Sequence, residues 1–151
     1  MAVFKNLVAI GTTPMPAVLD HNLVAQRLVF KPTVNLAAGD FVEIGILPAG
    51  ARLVDMVIDS DALTGGSVSV GFYNAGKTDL DAAASGGALW LPANSIGTAG
   101  ATRADGATLR AFQKIAKSDV DRQIVLKAIA ATTAFSGLEV GVTVYYRQDY
   151  Q

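Results

Sequence analysis

The chain has 151 residues, no cysteine, one histidine and a formal net charge of −1, from 12 Lys and Arg against 13 Asp and Glu. A chain of about 150 residues suits one domain that buries roughly 68–70% of its unfolded surface. The lack of cysteine excludes disulfides and thiolate metal sites, and basic residues scattered from Lys5 to Arg147 exclude a phosphate-tracking surface. Apolar runs are short and broken by charge or Gly, well below the roughly 20 residues of a helical bilayer span. Neither nucleic acid nor membrane is expected as a partner.

Residues 1–20 stand apart. Val3, Phe4, Leu7, Val8 and Ile10 lead into Gly11-Thr12-Thr13-Pro14-Met15-Pro16, where two prolines fix φ and favour an extended path. The stretch from Leu7 to Ile10 is too short for a secretory core, and no small-residue cleavage pattern follows it. The segment reads either as a first strand with its loop or as an arm that docks on another subunit. The division is thus an arm over 1–20 and a β-sandwich domain over 21–151.

Strands are predicted at 22–30, 40–47, 52–59, 67–73, 88–91, 109–115, 122–130 and 137–147, because apolar residues recur with a period of two between Gly, Pro and Asp turns. In the last of these, Leu138, Val140, Val142, Val144 and Tyr146 share one face, while Glu139, Gly141, Thr143, Tyr145 and Arg147 share the other. Val54, Met56 and Ile58 likewise oppose Asp55 and Asp59, and Val68, Val70 and Phe72 oppose Ser67, Ser69 and Tyr73. Leu47-Pro48-Ala49-Gly50 has type I turn chemistry, with Pro second and Gly fourth. With Asp61–Gly66 as the next turn, the strands at 40–47, 52–59 and 67–73 are predicted to form an antiparallel meander.

Between Asn74 and Thr108 the composition turns to Ala, Gly, Ser and Thr, which marks a long connection. Asp79–Ala84 has the makings of a short helix stopped by Gly86-Gly87. Leu109, Phe112 and Ala116 also share a helical face, although a strand is favoured there. Eight antiparallel strands with one long excursion predict an all-β, antiparallel two-sheet sandwich, most simply a jelly roll with an extended N-terminal arm. An immunoglobulin-like sandwich is the rival, without the Cys…Trp…Cys spacing that would support it.

Chemistry-bearing motifs are sparse. Gly71-Phe72-Tyr73-Asn74-Ala75-Gly76-Lys77-Thr78 matches the phosphate-binding loop G-x-x-x-x-G-K-[ST] letter for letter. That chemistry needs a loop of free backbone N–H groups opening a helix in a parallel sheet. Here Phe72 and Tyr73 continue a strand, so a strand end running into a turn is the simpler reading, with a nucleotide hydrolase as its rival. Asp79 and Asp81 start a calcium-loop pattern that fails at Ala83 and Trp90; a looser surface site using Asp59, Asp61 or Asp79 competes with solvated turn aspartates. His21 has no second imidazole and no G-x-S-x-G elbow beside it. No enzyme, catalytic residue, metal ligand or cofactor is expected. Trp90 reads first as a core anchor of the long connection and alternatively as an oligomer or partner contact, since aromatics dominate interface energetics, and the Tyr/Arg-rich end Tyr145–Gln151, of which only alternate residues can face the core, is a similar candidate.

Asp40–Val54, with its Leu47-Pro48-Ala49-Gly50-Ala51 turn, followed by Asp61-Ala62-Leu63-Thr64-Gly65-Gly66-Ser67-Val68-Ser69-Val70-Gly71, resembles the small virion structural proteins of tailed bacteriophages, in particular their capsid cement or decoration proteins. The resemblance is plain over about 30 residues of strand–turn–strand pattern. It implies a homo-oligomeric (homodimer or homotrimer) protein, made in the host cytoplasm, that binds the outer surface of the head and locks neighbouring major capsid proteins together. A tail or vertex module that binds receptor is the alternative. On this basis Val3, Phe4, Leu7, Val8, Ile10, Trp90 and Tyr150 are the candidate capsid or subunit contacts.

Overall fold

The computed structural model describes residues 1, 3–5, 23–81, 91–96, 98–103, 116–133 and 137–148. Nine strands are formed there: β1 (Val3–Lys5), β2 (Leu23–Phe30), β3 (Phe41–Leu47), β4 (Ala51–Ser60), β5 (Ser67–Phe72), β6 (Leu91–Ser95), β7 (Gly100–Arg103), β8 (Arg122–Ala130) and β9 (Val140–Gln148). They build two sheets, ordered β1-β3-β8-β5-β6 and β2-β9-β4-β7. Pairing is antiparallel throughout except where β1 lies parallel to β3. The all-β two-sheet sandwich is therefore as predicted. Among the described residues, with β2–β9 taken in order, one sheet runs first, eighth, third, sixth and the other second, seventh, fourth, fifth.

The core follows from period-two burial. Leu28, Ile58, Val142 and Val144 from one sheet meet Val42, Ile44, Val70, Phe72, Ile124 and Leu126 from the other. Leu63 and Ile96 close one end, tied by hydrogen bonds from Leu63 N–H to Ile96 C=O at 2.8 Å and from Ile96 N–H to Gly66 C=O at 3.0 Å. In β3, β5 and β8 the outward residues Phe41, Glu43, Ser69 and Val125 are buried as well. Burial along these strands is accordingly near-continuous, most of all in β3 and β5. The Phe41 and Tyr73 rings, 5.3 Å apart, form part of that second layer.

Several expectations are corrected. The predicted meander does not form: β3 and β5 lie in one sheet and β4 in the other. Period-two patterning fits a strand facing its predecessor across the core as well as one hydrogen-bonded to it, and the fully buried Leu47 and Ala51 mark where the chain crosses. The connecting turn is closed by Ala51 N–H donating to Pro48 C=O at 3.1 Å, with Gly50 at φ +78° in the third position. It is a type II turn shifted by one residue, not the predicted type I turn. Val54 faces outward, because a bulge between Leu53 and Asp55 passes the inward position to Leu53.

Of the strand predicted at 88–91, residues 88–90 lie outside the described residues and Leu91 opens β6, which continues through Pro92 because an edge strand tolerates a missing donor. Edge strand β7 was not predicted, since Gly100–Arg103 is short, polar and exposed. Asp79–Asp81 do not begin a helix: Tyr73 bridges Leu80, and Asp81 N–H donates to Phe72 C=O at 2.8 Å. The remainder of that reading and the strand at 109–115 lie outside the described residues.

Candidate functional site

The phosphate-loop match is explained by Asn74. Its side-chain oxygen accepts from Thr78 N–H at 2.9 Å and Asp79 N–H at 3.3 Å, while its backbone carbonyl accepts from Lys77 N–H at 3.0 Å. Asn74 N–H donates in turn to Asp79 C=O at 2.8 Å. The amides of Lys77, Thr78 and Asp79 are thus consumed by a turn closed on itself, a common Asn device, and they do not wrap a phosphate. Lys77 sits at φ +52°, the left-handed region.

Beside this turn, at one end of the sandwich, lies a cleft of about 480 Å³. Phe72, Tyr73 and Lys77 line it from the β5 side, Ile46 from β3, and Val120, Asp121, Arg122 and Gln123 from β8 and the chain leading into it. The Arg122 guanidinium lies 4.3 Å over the Phe72 ring, and burial pushes its pKa down. Tyr73, half-buried and near Glu43, has its pKa pushed up to about 12, so its hydroxyl stays protonated. Asp121 accepts from Ala49 N–H at 2.8 Å, and Gln123 donates to Gly45 C=O at 2.9 Å, which ties the cleft wall to β3 and its following turn. The arrangement offers a fixed planar cation, an ammonium and apolar walls.

The outer face of the other sheet carries fixed charge. Arg27 pairs with Asp59 and, at 3.0 Å, with Glu139, to which Lys31 also reaches at 3.3 Å. Arg27 and Lys31 hold the Glu139 carboxyl below the ordinary range, and Asp59 then Glu139 raise the Arg27 pKa. A Cβ on Gly141 would come within 2.5 Å of Arg27 Nη2 and Asp59 Oδ2, so the bare glycine lets this pair cross β9. Arg103 of edge strand β7 donates to Asp55 at 2.6 Å, fastening β7 to β4.

Of the predicted contact residues, Val3 is exposed on β1, and Phe4 pairs with Val42 through the backbone of the same strand. Leu7, Val8, Ile10, Trp90 and Tyr150, like His21, lie outside the described residues. Asp79 pairs with Lys127 at 2.6 Å, and Asp61 accepts from Glu139 N–H at 2.9 Å. Among the described residues no group of three His, Cys, Asp or Glu side chains comes together to hold a metal, and no helix is long and apolar enough to cross a membrane. Sequence reasoning missed Arg122. Its one signal was a charged residue at the inward parity of Ile124 and Leu126.

No family model and no curated protein matches the chain. Solved structures do. A chain in the capsid of Ralstonia phage GP4 is similar over 99% of this chain and 100% of that one, with a TM-score of 0.77 and 25% sequence identity. A chain in the cyanophage Pam1 capsid asymmetric unit is similar over 91% of this chain and 93% of that one, with a TM-score of 0.56 and 15% identity, which speaks for the fold alone. The first of these likenesses supports a virion structural protein related to phage capsid chains.

Proposed function

We propose that this chain is a capsid cement, or decoration, protein, bound to the outer surface of a phage head and tying neighbouring major capsid proteins together without catalysis or cofactor. The observation that supports this most directly is the whole-length likeness to a chain of the Ralstonia phage GP4 capsid, in which a sandwich of the same extent is part of the particle. Physical chemistry makes the role feasible. A clamp repeated across a shell needs only modest affinity per copy, because neighbouring contacts raise the effective concentration of each further one.

In this reading residues 1–20 form an arm on the domain 21–151, laid against it through the pairing of β1 with β3. Val3, Phe4, Leu7, Val8 and Ile10 contact the shell or a sister subunit, with Trp90 and Tyr150 adding aromatic anchors, and the protein acts as a homodimer or homotrimer. The test is to purify intact particles and measure copies of this chain against the major shell subunit by mass spectrometry. Near-stoichiometric amounts are expected for a cement role, while a handful of copies would place the chain at the tail or vertex and sink the proposal. In the same assay, a chain lacking residues 1–20 should fold by circular dichroism yet no longer occupy particles. Undiminished occupancy would refute the arm assignment.

A further inference from the structure

Among the described strands β1 is the shortest, and it holds the edge of β3 by three register pairs alone: Val3 with Phe41, Phe4 with Val42 and Lys5 with Glu43. Val3 is 42% exposed, so little apolar surface fastens the strand, and a terminal segment held this way opens at low free-energy cost. β3 is held differently. Its other edge pairs with β8 from Phe41 to Leu47, and Phe41, Val42 and Ile44 are fully buried. The β3 edge is thus a standing template for a strand, and β1 is its exchangeable occupant.

The chain between β1 and β2 is longer than this pairing requires. Lys5 lies at the level of Glu43, and β2 faces β3 across the core, where a Cβ on Gly45 would meet Leu28 Cδ1 at 2.7 Å. Leu23 begins β2 further toward the β3–β4 turn, in the row of Arg147 and Arg52. At about 3.3 Å per residue and about 10 Å between sheets, Lys5 and Leu23 stand roughly 25 Å apart. Residues 6–22, which join them, extend to about 55 Å at ~3.3 Å per residue. That reach is about twice the need and exceeds the roughly 40 Å width of a compact domain of this length. The same strand can therefore lie on the same edge of an adjacent molecule. Exchange gives up no pairing, because the contacts made on a second copy are those made within one chain.

We propose that Val3–Lys5 is an exchanged strand, which pairs in the same register with Phe41–Glu43 of a second copy of this chain and so ties the copies together. The inference rests on the arm and homo-oligomer of the function proposed above, and not on the shell. The chain has no cysteine, so Phe4→Cys with Val42→Cys places the only two thiols on register partners, about 4.8 Å apart and within disulfide reach. Unlabelled and ¹⁵N-labelled full-length chains carrying both substitutions are refolded together, oxidised and digested with trypsin, which cuts after Lys5. Linked peptides with one light and one heavy half are expected to make up about half of all linked peptides, the share given by random mixing in an exchanged oligomer. Phe4→Cys with Thr143→Cys, whose second thiol lies on the outer face of the other sheet, should give no link.

Links within one label alone would mean that β1 stays on its own chain, and a folded sample without links would mean that β1 does not occupy the β3 edge; either overturns the inference. The unaltered chain gives a second reading without substitution. Isotope-filtered NOEs between labelled and unlabelled copies should join Val3 to Phe41, and their absence from the oligomer would likewise refute the exchange. A chain missing from purified particles would defeat the cement reading, while the linked peptides would still decide the exchange.

Discussion

Val142 sits between Leu28 and Ile58 in the centre of the β2-β9-β4 register and is 1% exposed, whereas its neighbour Thr143 faces outward between Arg27 and Val57. Val142→Asp buries a carboxylate with no partner, a cost of several kcal/mol against a total stability of about 5–15 kcal/mol. The variant should be unfolded by near-ultraviolet circular dichroism, while Thr143→Asp should melt within a few degrees of the parent. Equal losses would refute the register. Tyr73 gives a second handle. Its pKa, raised to about 12 mainly by burial, exceeds the ordinary value near 10. The unfolded chain therefore loses this proton first as pH rises, and the stabilising contribution, complete below about pH 10, is lost as pH rises through about 12. In an absorbance titration of tyrosinate, Tyr73→Phe should remove a late-ionising component. If only early-ionising signal disappears, the burial assigned to Tyr73 is wrong.

At the scale of elements, turns and edges carry the information that periodicity lacks. The β3–β4 connection sends the chain from one sheet to the other through a type II turn whose third residue, Gly50, has φ +78°. Any L side chain there costs about 1 kcal/mol or more. Gly76→Ala is the control: its φ is ordinary, and its added Cβ would meet nothing closer than Thr78 at 3.6 Å. Gly50→Ala should shift the urea midpoint down, and Gly76→Ala should leave it nearly unchanged. The β4 bulge and the strand edges fell outside the sequence reading for related reasons. Val54 looks like a core residue until a bulge turns it outward, and Gly100–Arg103 becomes a strand only because β4 offers it a ladder and Asp55 holds Arg103.

For the molecule as a whole, two sheets wound around one core leave charge on one outer face and a cation-bearing cleft at one end, and this division suits a part that is held in place by its neighbours. The copy number on purified particles bears on that whole-molecule role. The sequence by itself determined the β-class, most strand positions, and the inward sets Val140–Tyr146 and Val68–Phe72, because side-chain alternation is a property of each strand alone. It also exposed the phosphate-loop match as a strand end, from Phe72 and Tyr73. Tertiary structure alone decided which strand pairs with which, since the same alternation serves a strand beside its neighbour or across the core from it. It likewise brought Arg122 over Phe72, residues 50 positions apart that no local pattern connects, because only the packing of β5 against β8 places them at the same end of the sandwich.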